Sequence, residues 1–197
     1  MMEQKESLLA QLQAFRPYNE QEQRDRELLL GWLRSGMDIV TRNNAAAHLT
    51  ASAWVVSPDR SRVLMAYHNL YHSWAWLGGH ADGDWDLRAV AGKEVAEESG
   101  VGALRLLTPE IFSLEILTVD GHEKHGRYVS SHLHLNVTYL FEADPTAPLR
   151  CKPDENSAVA WIDVADIPNQ STEPWFIKRI YAKLTEKVLM LEKPPEA

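Results

Sequence analysis

Three glutamates, Glu94, Glu97 and Glu98, stand near the end of a segment that opens with the glycine pair Gly78-Gly79 and closes at Gly100. On a helix, at about 100° per residue, their side chains fall at relative angles of roughly 0°, 300° and 40°, within one sector of about 100°. Carboxylates held that close repel one another and require a compensating cation. A hard divalent ion with oxygen ligands, Mg²⁺ or alternatively Mn²⁺, shared with a substrate phosphate, meets that requirement. The competing reading is a solvated acidic helix face. Glycines at both ends of the same segment favour the metal.

Other side chains able to do chemistry are more scattered. His80 directly follows the glycine pair. His132 and His134 are two apart in an apolar run, so in a strand they point to one face, with Asn136 beyond them. All three histidines are read as substrate contacts: His132 and His134 at a phosphate, with a metal-ligand role open and a solvated strand face as the competing reading, and His80 leaning over the metal cluster or the leaving group, with a loop histidine that merely packs as the competing reading. His68, His72, His122 and His125 are read as surface residues. The eight histidines show no linear zinc spacing, and Cys151 is the only cysteine. Trp74 and Trp76 alternate just before the glycine pair, and packing is the favoured reading over stacking on a nucleobase.

The segment from Gly79 to Val101 resembles the box of the Nudix hydrolase family: Gly, five residues, Glu, seven residues, then Arg-Glu-aliphatic-any-Glu-Glu-any-Gly-aliphatic. Here Gly79 is followed at the same spacing by Lys93-Glu94-Val95-Ala96-Glu97-Glu98-Ser99-Gly100-Val101. Two positions depart. Trp85 stands where the family has its first glutamate, and Lys93 where it has arginine. Lys93 keeps the charge but lacks the planar fork of a guanidinium. Trp85 can neither bind a metal ion nor accept a hydrogen bond, and Asp84 and Asp86 beside it are the expected stand-ins. The resemblance implies metal held by Glu94, Glu97 and Glu98 with the backbone carbonyl of Gly79, and Lys93 orienting those glutamates. It also implies a further catalytic glutamate outside the box; Glu155, Glu123 and Glu115 are candidates, and Glu155 is preferred by position. The implied fold is α/β, a mixed β-sheet sandwiched between α-helices, with the box as a loop–helix–loop.

Composition agrees with an enzyme of small molecules. The 197 residues, 45% of them hydrophobic, can bury a full core. One cysteine allows no disulfide within the chain, which suits a reducing compartment and hence the cytoplasm. No apolar run reaches the length of a membrane span. A net charge of −8 argues against a nucleic-acid polymer as partner, because such binding rests on Lys and Arg neutralising phosphates. A small phosphorylated substrate carrying its own cations remains compatible.

The elements that must position these groups can be read from periodicity. Residues 1–42 form an N-terminal helical extension and 43–197 the catalytic domain with a C-terminal helix. Leu8, Leu9, Leu12 and Phe15 make one apolar stripe ended by Pro17, and Asn19 with Glu22 has capping-box spacing before Leu28, Leu29, Trp32 and Leu33. That helix pair is expected to pack on the core, with a dimer contact as the alternative; a homodimer is left open. Strands are expected over His48–Val56, Arg62–Tyr67, Trp74–Leu77, Arg105–Leu117, Val129–Phe141 and Ala158–Ile162, and a helix over Thr172–Leu191.

Taken together, the sequence points to a metal-dependent pyrophosphohydrolase that cleaves a phosphoanhydride bond in a nucleoside diphosphate linked to another moiety. The alternative is a catalytically impaired Nudix-fold module that binds nucleotide for regulation, which Trp85 and Lys93 favour and the intact Glu94, Glu97 and Glu98 oppose. A third reading, a diphosphate isomerase on the same scaffold, is weakened by the late position of Cys151.

Overall fold

The computed structural model describes residues 2–124 and 126–191. In chain order the longer helices are α1 (Met2–Ala14), α2 (Glu20–Arg34), α3 (Leu87–Ser99) and α4 (Ala182–Met190). The strands are β1 (Ala47–Val56), β2 (Arg62–His68), β3 (Ser73–Ala75), β4 (Leu77–His80), β5 (Arg105–Leu106), β6 (Ser113–Val119), β7 (His122–Lys124), β8 (Arg127–Val129), β9 (His132–Glu142) and β10 (Asn156–Asp163). The class is α/β, a mixed β-sheet with helices and two helices at the N-terminus. Among the described residues no helix is long and apolar enough to cross a membrane.

The chain divides into two compact units. The first comprises the residues up to Ala53, Gly78–Glu94 and Leu106–Leu140; the second comprises Trp54–Leu77, Val95–Arg105 and the chain from Phe141 onward. Strand β1 and helix α3 each continue from one unit into the other.

In the first unit, Asn19 caps α2 from extended backbone (φ −148°), its side chain accepting from the Glu22 amide at 3.0 Å. The Glu22 carboxylate reaches one residue further back than a capping box requires, to the Tyr18 amide at 2.8 Å. Arg26 on α2 donates to the Leu12 and Gln13 carbonyls, satisfying acceptors left open where α1 ends. The helix pair packs on the core as expected: Leu8, Leu12, Leu29 and Leu33 are buried. Helix α2 also covers β6. Gln21 donates to the Leu114 carbonyl at 3.2 Å, and Asp25 accepts from the Ile116 amide at 3.0 Å, so exposed strand-edge groups find partners. Strands β4 and β9 both pair with β1, and β6 pairs antiparallel with β9 in a register that sets Glu115 opposite Asn136 and Leu117 opposite His134.

In the second unit β2 pairs antiparallel with β3, β10 and the end of β1. Trp54 is fully buried and stacks on Tyr181 at 5.7 Å between ring centroids. Trp76 presents its edge to Tyr181 and Phe176, and Trp74 its edge to Tyr67, so both tryptophans pack against aromatic neighbours. At ~25 cal/mol per Å², burying an indole of about 200 Å² contributes roughly 5 kcal/mol.

Four expected elements differ. The strand expected over Trp74–Leu77 is divided: β3 ends at Ala75 and pairs with β2, and β4 starts at Leu77 and pairs with β1. The strand expected over Arg105–Leu117 is broken into β5 and β6, because Thr108-Pro109 intervenes and proline offers no amide to a ladder. The strand expected from Val129 is likewise divided: Val129 ends β8, and β9 begins at His132. The C-terminal helix expected over Thr172–Leu191 starts at Pro174 and contains a π turn over Ile177–Tyr181 before α4, where Tyr181 packs among Trp54, Trp76 and Phe176.

Candidate functional site

Helix α3 is built at both ends by short-range bonds. The Asp84 carboxylate accepts from the Asp86 amide at 2.9 Å, and Asp86 accepts from the Ala89 amide at 3.0 Å, three residues on, as a helix cap does. Asp84 and Asp86 are therefore engaged in the turn and cap that start the helix. At the other end Gly100 adopts φ +78°, the left-handed conformation that lets a helix close, and its amide bonds back to the Ala96 carbonyl at 3.0 Å. Leu87, Ala91 and Val95 bury one face. Glu94 and Glu98 are four residues apart in the sequence of this helix. Lys93 is exposed.

In the first unit Gly78 is a steric necessity, and Gly79 leaves room for a glutamate side chain. A β-carbon on Gly78 would come within 2.6 Å of the Ala51 carbonyl, and one on Gly79 would overlap the Glu94 carboxyl group. A side chain at position 79 would push the Glu94 carboxyl group from its place beside this backbone.

In the second unit the segment Arg150–Asn156 runs along the end of α3. The Arg150 amide donates to the Ser99 carbonyl at 2.8 Å, and Asn156 Nδ2 donates to the Glu98 carbonyl at 3.1 Å, using acceptors that the helix end leaves open. These bonds bring Glu155 to the buried Glu98, with carboxylate oxygens within 4.8 Å. Lys152 sits between carboxylates, its Nζ 3.3 Å from Glu97 Oε2 and 3.1 Å from Glu155 Oε2. Lys152 escaped the sequence reading; its spacing of three to Glu155 was the available signal. The other two glutamates proposed from position lie elsewhere. Glu123 is exposed on β7, whereas Glu115 is fully buried and accepts from Ser113, Asn136 and Thr138.

Trp85 has a different employment. It is half-buried, lines a cleft with Gln4, Ser7, Leu8 and Gln11 of α1, and lies under the Lys5 ammonium at 5.6 Å from the ring centroid. A glutamate there would surrender that contact.

The histidines of the first unit converge. His132 and His134 do share a face of β9, together with Asn136 and Thr138. The register brings them to a matching stripe on β1: Thr50 and Ser52 both donate to Asn136 Oδ1 at 2.9 Å, and His48 lies two residues before Thr50. Ring centroids stand 5.0 Å apart for His48 and His80, 5.2 Å for His48 and His134, and 4.9 Å for His80 and His134. Burial, reinforced by the neighbouring His80 and His48, holds His134 well below the usual imidazole range, at about 2, and burial lowers His48 as well. His48 was missed in the sequence; the alternation His48-x-Thr50-x-Ser52 against His132-x-His134-x-Asn136 was its signal. Of the histidines read as surface residues, His72 is exposed, His68 and His122 are half-buried, and His125 lies outside the described residues.

A family model described as the NUDIX domain matches residues 46–184. No significant match is found among curated proteins. The fold is similar to that of a hydrolase of the NUDIX family from Clostridium perfringens (TM-score 0.53, 19% identity, 74% of this chain and 98% of that one). It is also similar to a C. elegans Ap4A hydrolase (TM-score 0.53, 14% identity, 72% and 99%) and to an E. coli dihydroneopterin triphosphate pyrophosphohydrolase (TM-score 0.53, 14% identity, 70% and 94%). At these identities the structural likeness speaks for the fold alone, while the domain match covers most of the sequence and includes every box residue from Gly79 to Val101; the chain belongs to the Nudix family.

Proposed function

We propose that this chain is a metal-dependent hydrolase that cleaves a phosphoanhydride bond in a nucleoside diphosphate linked to another moiety, with residues 1–42 as an extension of the catalytic domain. The observation that carries the reading is the bond pattern of Arg150–Asn156 against α3, which delivers Glu155 to Glu98 on the helix that also bears Glu94 and Glu97. The donor set is made of carboxylate oxygens, which suits Mg²⁺ or Mn²⁺ and not a soft ion.

Glu94, Glu97 and Glu98 would hold the cation, together with the Gly79 carbonyl, whose approach the missing side chain permits. Bound there, a divalent cation offsets the charge of the diphosphate and acidifies a water. Glu155 is assigned the proton of the attacking water at its carboxylate, a general-base role. Lys152 fixes Glu155 against Glu97, which orients the base, and Lys93 keeps a positive charge on the helix at the position of the family's arginine. The relatives described as acting on Ap4A and on a pterin triphosphate support phosphorylated small molecules as the substrate class.

The test is phosphate release from a panel of nucleoside diphosphate derivatives with Mg²⁺ or Mn²⁺. Turnover is expected with the wild type and a loss of at least about a thousandfold in Glu97→Gln, the size of effect seen when charge stabilisation is removed from a reaction centre. Turnover unchanged in Glu97→Gln overturns the assignment. Substrate-dependent thermal stabilisation without product would replace it by the binding-module reading.

A further inference from the structure

The histidine cluster of the first unit is a second candidate centre, chemically unlike the carboxylates. Nitrogen atoms of His48, His80 and His134 lie within 4.8 Å of one another. His48 is 5% exposed, and its Nδ1 is 3.2 Å from the Asn44 carbonyl oxygen. A carbonyl can only accept, so the ring proton sits on Nδ1 and Nε2 presents a lone pair. That Nε2 is buried with no hydrogen-bond partner. A buried acceptor without a partner costs free energy unless something else uses it.

His132 repeats the arrangement. Its Nδ1 is 2.8 Å from the Ser130 carbonyl oxygen, which turns Nε2 inward, 3.2 Å from Nε2 of His134. Two nitrogens bound tetrahedrally at the usual 2.0–2.1 Å stand about 3.3 Å apart, so this pair already has the spacing of a ligand edge. Backbone carbonyls on the outer nitrogens are the support that metal-bound imidazoles commonly have. The ring centroids of His48 and His132 are 4.8 Å apart, and those of His132 and His134 5.1 Å, so the fourth ring flanks two of the three.

We propose that His48, His80 and His134, with His132 as fourth ligand, bind one divalent transition-metal ion of the zinc class, separate from the hard cation assigned to the glutamates. All-imidazole donors favour zinc and its neighbours over Mg²⁺, which prefers oxygen. The ion ties β1, β4 and β9 together one residue from Gly79. This inference does not rest on the hydrolase reading.

The experiment uses the full chain, stripped with chelator and held in excess Mg²⁺, titrated with Zn²⁺ by calorimetry and with Co²⁺ by visible absorption. One equivalent is expected to bind with a Kd tighter than about 10 µM, with Co²⁺ giving the absorption bands of a four-coordinate nitrogen site. His48→Gln and His134→Gln are each expected to weaken binding at least about 100-fold, and the less buried His132→Gln about tenfold, with circular dichroism reporting the fold. Glu98→Gln is expected to leave Zn²⁺ binding unchanged. No equivalent tighter than that limit in the wild type, a site that survives His132→Gln combined with His134→Gln, or a site lost in Glu98→Gln overturns the proposal.

Discussion

The end of helix α3 and the histidine face of β1, β4 and β9 are both polar constellations, but they are assembled in opposite ways. The glutamates are neighbours in sequence, carried by a single helix; one further residue, Glu155, arrives from a loop tied to the helix end. The histidines come from positions 48, 80, 132 and 134, and only strand register makes them adjacent. A site written within one element survives loss of distant contacts. A site written across strands fails with the register that aligns them.

The sharpest way to break this contrast is Glu155→Gln. If Glu155 takes the proton, the variant loses its base while α3 keeps its glutamates. Turnover with Mg²⁺ is expected to fall about 100-fold, the common worth of a positioned general base, with KM little changed. A loss carried mainly in KM would make Glu155 a binding group, and the acidic site would then lie wholly within the helix.

The same contrast explains what could be read from the sequence. The box, the capping of α2 by Asn19 and the closure of α3 by Gly100 are local, with residue type and spacing sufficient to place them. The pairing of His132 with His134 follows from the two-residue period of a strand. His48 and Lys152 left only faint local signals, because each acquires its decisive neighbours through contacts between segments far apart in the chain. Pro109 was visible, yet the broken strand it imposes was passed over in favour of an apolar run. Trp85 looked like a defect in the box because its partner, α1, is more than seventy residues earlier.

A second test targets the register directly. Asn136 is 1% exposed; it accepts from Thr50 and Ser52 and donates to Glu115, so it joins β1, β6 and β9. Asn136→Ala leaves buried polar groups without partners, at about 1–3 kcal/mol in all, which at this size lowers Tm by roughly 2–12 °C. Zn²⁺ affinity is expected to fall about tenfold and turnover by less than about threefold, since the effect reaches the histidines by displacement and the glutamates not at all. An equal loss in both readouts would merge the two constellations into one.

The smallest expected effect belongs to Trp85→Glu, which restores the family residue. If the position serves catalysis here, turnover should rise. The geometry argues otherwise: the ring spans the cleft beside Leu8 and lies under the Lys5 ammonium, so its work is to hold α1. Replacing a half-buried indole by a carboxylate forfeits part of its apolar contact, about 1–2 kcal/mol, or roughly 2–8 °C in Tm. Turnover is expected to stay within about twofold, because Glu94, Glu97, Glu98 and Glu155 are untouched, and effects at sites without shared partners act independently. A tenfold gain in turnover at unchanged Tm would reverse the reading, making the tryptophan a lost ligand and the carboxylates of α3 an incomplete set.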